Sequence, residues 1–72
     1  MRYIIADKTL ADSQGFPINT HRVNGNQIIL NEKEVYSILP GNTLEDKIGL
    51  ISGTIYTHAE INKIINKGGW NE

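Results

Sequence analysis

Asn24-Gly25-Asn26-Gln27-Ile28-Ile29-Leu30-Asn31-Glu32-Lys33-Glu34-Val35 is the stretch whose reading decides the fold. Asn-Gly is the strongest short hairpin signal, because both residues tolerate positive φ. Thr20 to Val23 reads as the strand before it and Gln27 to Leu30 as the strand after it. The loop holds two or three residues, so the register is open by one. A slip of one residue would turn every side chain to the opposite face. The second strand runs straight into a helix start. Asn31 caps it, Glu34 stands where a capping-box acid reaches back, and Leu30 with Val35 forms a hydrophobic staple.

Toward the N-terminus, Arg2 to Ala6 has the β-branched and aromatic content of a buried strand, with Ile4 and Ile5 facing opposite sides. Asp7 caps a short helix, Lys8 to Gln14. Gly15 stops it, Pro17 blocks continuation, and Phe16 folds back on Leu10 or Ala11. Toward the C-terminus, Val35, Ile38 and Leu39 form an inward face before Pro40-Gly41-Asn42 breaks the helix. Thr43, with Asp46 as box partner, starts the next helix; Leu44, Ile48 and Ile51 line one side and Gly53 stops it. Thr54-Ile55-Tyr56 reads as a short strand or extended link. Thr57 and Glu60 open the last helix, stapled by Tyr56 and Ile61, and Gly68-Gly69 ends it.

The expected architecture is one small α+β domain over residues 1–72, in the order β-α-β-β-α-α-(β)-α. A small sheet carries the Asn-Gly hairpin, and three to four short helices pack on one of its faces. Val35, Ile38, Leu44, Ile48, Ile51, Ile61 and Ile64 are expected in a single core with Ile5 and Ile28.

Seventy-two residues leave room for one such core, and a chain of this size buries only about 60% of its unfolded surface. Twelve isoleucines, five leucines and two valines are too many for a disordered tail. Without cysteine there is no disulfide, thiol nucleophile or iron–sulfur ligand. Seven basic residues against eight acidic ones, with no basic run of three, argue against binding nucleic acid through its phosphates. Met1 to Ile5 reads as a strand rather than a signal peptide, and aliphatic runs stop at three residues. A soluble, cytoplasmic chain with no membrane contact is therefore expected.

Residues that carry chemistry are sparse. Glu32 and Glu34, like Glu45 and Asp46, are explained by helix starts and the dipole. His21 and His58 lack helical spacing and a third ligand, so no metal or other cofactor is expected. The glycines fall at turns rather than in a phosphate loop, and Ser13, Ser37 and Ser52 lack a nucleophile's context. In the helix pair joined by Leu39-Pro40-Gly41-Asn42, the second helix would present Glu45 and Asp46 to DNA, which opposes base readout.

The stretch Asn24 to Val35, together with Gly53-Thr54-Ile55-Tyr56-Thr57, resembles short uncharacterised bacterial proteins, often of prophages or other mobile elements. The resemblance covers most of the chain and implies no activity, so no functional residue is carried over from it. By elimination, the expectation is a non-enzymatic interaction or accessory module acting through a protein partner or as a homodimer. The alternative is a small dimeric nucleic-acid-associated regulator, which would need Arg2, Arg22, Lys63 and Lys67 in one patch. Trp70 and Tyr56 are the candidate partner-binding residues. Two glycines let Trp70 fold back over Ile61, Ile65 or Tyr56, or project toward a partner.

Overall fold

The computed structural model describes residues 1–70. It is an α+β fold whose strands form one antiparallel sheet in the order β2-β3-β1-β4. The strands are β1 (Tyr3–Asp7), β2 (Val23–Asn24), β3 (Gln27–Asn31) and β4 (Thr54–Tyr56). The helices are α1 (Lys8–Ser13), α2 (Glu32–Ile38), α3 (Leu44–Ile48) and α4 (His58–Asn66), and a 3-10 turn at Gly49–Ile51 extends α3. Asn71 and Glu72, the end of the expected tail, lie outside the described residues.

β1 is one of the two inner strands. It pairs Ile4 with Leu30 of β3 and with Ile55 of β4, and Tyr3 with Asn31 and Tyr56. The Lys8 N–H donates to the Asn26 carbonyl and the Glu32 N–H donates to the Arg2 carbonyl. Even-numbered residues of β1 therefore turn their backbone groups toward β3, and odd-numbered ones toward β4.

Alternation along the strands divides the apolar residues between two faces. Ile4, Ala6, Ile28 and Leu30 point to one side and pack with Ala11, Phe16, Val35, Leu39, Leu44, Ile48 and Ile51. Ile5 and Ile29 point to the other side, where Ile61 joins them and Tyr3, Tyr56, Ile64, Ile65 and Trp70 pack around the edge. The expected single core is thus two cores. Three helices lie on one face as read from the sequence, but α4 covers the opposite one. The physical reason is the period of two: Ile4 and Ile5 cannot serve the same layer. Ile38 is corrected as well, being 38% exposed while Leu39 takes the inward position.

Local signals explain most element ends. Asp7 accepts from the Leu10 N–H at 3.0 Å to open α1. Gly15 N–H to Asp12 and Phe16 N–H to Ala11 carbonyl bonds then close it as a Schellman motif, with Phe16 buried beside Ala11. Thr57 and Glu60 form the full reciprocal capping box of α4. Two signals resolve differently from expectation. Asn24 is paired with Gln27, so of the two loop lengths the sequence allows the shorter forms, with Gly25 and Asn26 as its residues. Only Gly25 takes positive φ there, at 59°, as a primed turn with glycine in its first central position requires. The strand before it is Val23–Asn24 alone, shorter than Thr20 to Val23.

The second is the end of the α3 segment. Ser52, at φ 52°, makes the left-handed stop assigned to Gly53. Gly53 has a different constraint: a Cβ there would lie 2.6 Å from Ile4 Cγ2 and 3.0 Å from Ile48 Cβ. It is the point where the chain crosses tightly over the first core before entering β4.

Candidate functional site

One helix about 10 Å across cannot cover four strands spaced about 4.8 Å apart. On the second face α4 leaves an open flank on either side. The larger is a groove of about 490 Å³ between α4 and the segment 17–22, floored by Tyr3, Ile29 and Asn31. Its α4 wall is His58, Ile61, Asn62 and Ile65. Both histidines of the sequence thus reach one groove, although 37 positions separate His21 from His58.

His21 holds the opposite wall in place. Its Nδ1 meets the Pro17 carbonyl, and its Nε2 meets the Glu34 carboxylate oxygens at 2.8 and 2.9 Å. This bond ties the irregular segment before β2 to the first turn of α2. The Asn31 side chain accepts from the Glu34 N–H at 2.9 Å, as a cap should, but the Glu34 carboxylate goes to His21 instead of closing the expected box. His58 stands edge-on to Tyr3, with ring centroids 5.6 Å apart. The two histidines are therefore engaged separately, one with an acid and one with an aromatic ring. Among the described residues no group of three histidine, aspartate or glutamate side chains is arranged to hold a metal ion.

The other flank is a notch of about 330 Å³ lined by Ile5, Asp7, Gln27, Thr54 and Tyr56, where β1 runs on past the start of β4. Tyr56 is half-buried in it, and Trp70 is half-buried on the same second core. Gly68 and Gly69, both at positive φ, turn the chain back after α4, and Gly69 comes beside the Asn24 side chain of β2. Trp70 and Tyr56 thus pack on one apolar cluster with Ile5, Ile29 and Ile61.

Two features escape a reading of the sequence. Lys47 is buried, donating from Nζ to the Leu39 carbonyl at 2.6 Å, 5.6 Å from the centre of the Tyr36 ring. Its spacing of three from Leu44 is the signal that places it inward. Its ammonium satisfies a carbonyl at the end of α2, where a cation also suits the helix dipole. Glu32 is the other. The Arg2 backbone N–H donates to it at 2.9 Å and the Arg2 guanidinium at 3.2 Å. These hold its carboxyl below the usual glutamate range, the backbone bond most strongly, against a smaller upward push from burial.

Among the described residues no helix is long and apolar enough to cross a membrane. The class that this fold and site define is a small antiparallel sheet with three helices on one face and a single helix beside a groove on the other. No family model matches the chain, and no curated protein or solved structure matches it.

Proposed function

We propose that the chain is a small non-enzymatic interaction module of the cytoplasm, and that its contact surface is the half-covered second face of the sheet. The observation that carries the reading is the groove beside α4. It joins apolar floor and wall positions, Ile29, Ile61 and Ile65, to outward polar groups on His58 and Asn62. That mixture suits a protein surface with an apolar anchor and a polar rim. Several groups with chemistry to offer are occupied in holding the fold: Glu34 by His21, Glu60 by the α4 cap, and Lys47 by Leu39. Arg2 is paired with Glu32, which favours a protein partner over nucleic acid.

Three bait proteins test the reading: the natural chain, Asn62→Trp, which fills the groove from an exposed helical position, and Lys63→Trp on the outward side of α4. The expected result is one binding protein retained by the natural chain and by Lys63→Trp and lost by Asn62→Trp. Equal capture by all three baits, or none by any, would remove the groove as the contact surface.

A further inference from the structure

The two edges of the sheet differ. At β2 the sequence supplies Arg22 and Asn24, and the turn after α4 lies against Asn24. At β4, Ser52 to Thr57 contains no charge and no proline. Charged side chains, proline or a covering segment are the usual protection of a strand edge; Ser52 to Thr57 supplies neither charge nor proline, and among the described residues no strand pairs with the outer side of β4. Its bonding valence is also fixed. Tyr3 and Ile5 turn their backbone groups toward β4 and pair with Tyr56 and Thr54, so those two residues bond inward. Ile55, opposite Ile4, turns its N–H and carbonyl outward. Its side chain packs on the first core and that of Tyr56 on the second, and both are only half-buried.

We propose that β4 is a self-association edge: two copies of this chain pair antiparallel about Ile55, joining their sheets into one of eight strands. The proposal rests on the reading of the chain as an interaction module and names a second copy as the partner at this edge. A two-fold axis at Ile55 sets each Ile55 N–H against the other copy's Ile55 carbonyl, giving two reciprocal bonds. The same axis sets each Thr54 opposite the other copy's Tyr56. Symmetric pairing places identical neighbours close together, and like charges there would be destabilising; the uncharged strip Ser52 to Thr57 is suited to it. Net charge −1 adds almost no repulsion between copies. Beside the joint, the half-covered Ile55 gains the other copy's Ile55 on the first face, and Tyr56 gains the other copy's Thr54 on the second. Three residues of edge make a weak, rapidly exchanging dimer rather than an obligate one.

Sedimentation equilibrium over a wide concentration range tests this. The natural chain should rise from 8.1 kDa toward twice that mass. Thr54→Lys, at an exposed position, places two lysines at diagonal cross-strand positions about 7–8 Å apart across the axis, and their like charges should weaken association at least tenfold. Asn24→Lys at the other edge should leave it unchanged. Amide shifts in the natural chain should move with concentration at residues 52–57 and not at β2, a readout independent of how any variant folds. A natural chain that stays at 8.1 kDa at millimolar concentration overturns the proposal, even if β4 captures an extended peptide of another protein. So does association undiminished by Thr54→Lys. Either result leaves the groove reading standing, because Asn62→Trp and Thr54→Lys act on different surfaces.

Discussion

The two faces of the sheet are built from the same strands and reach different degrees of completion. The first face is closed by α1, α2, α3 and the 3-10 turn, and Ile4, Ile28, Leu30, Val35 and Ile51 are fully out of water. The second carries α4 alone, and among the described residues Ile5, Ile29 and Ile61 alone are buried there, with the aromatic residues and Ile64 and Ile65 left half-covered. In a chain this small, aliphatic residues suffice to close one layer. The other layer keeps enough surface to meet something else, so stability and contact are assigned to opposite sides of one sheet.

Substitutions can break or sharpen that division. Ile51→Ala, in the closed layer, should cost about 2–5 kcal/mol in chemical denaturation. At a total stability of about 4–11 kcal/mol for this length, the variant should be marginal or unfolded. A loss under about 1 kcal/mol would show that the first face is not the main store of stability. Gly53→Ala should cost about 1–3 kcal/mol, because the new methyl meets Ile4 and Ile48 where the chain crosses the core; an unchanged midpoint would mean that the crossing yields. On the open face, Ile65→Ala should cost only about 1 kcal/mol, half the transfer value of its removed carbons. A cost equal to that of Ile51→Ala would erase the distinction between the faces.

The smallest effect belongs to neither layer. Glu32 titrates below its ordinary range when folded, so its contribution is present above the unfolded glutamate value and is lost as pH falls through the lowered one. Stability measured against pH should fall less steeply on the acid side in Glu32→Gln than in the natural chain. Identical acid limbs would show that the Arg2 contacts do not persist in solution.

Much of the fold was legible in the sequence because it is written in local chemistry. Asp7, Asn31, Thr43 and Thr57 each cap the helix that follows them, and Leu30 with Val35 and Tyr56 with Ile61 meet as staples should. These signals act within four or five residues. The placement of α4 was not legible, because an amphipathic helix shows which of its sides is apolar and not which face of a sheet receives it. The groove was hidden for a related reason. His21 and Glu34 stand on either side of the β2–β3 hairpin, and their bond depends on how segment 17–22 returns over α2. Ser52 was missed because glycine is the ordinary left-handed stop and one stood beside it.

The alternation of bonds along β1 gives the molecule a built-in record of its own motions. Ile4 and Ala6 direct their N–H groups to β3 within the closed layer, whereas Tyr3 and Ile5 direct theirs to β4. A transient release of β4 together with α4 bares the second pair of amides and leaves the first pair bonded. Deuterium uptake along the four residues from Tyr3 to Ala6 then follows a sawtooth: the odd amides exchange at the free energy of detaching one segment, the even ones at that of global unfolding.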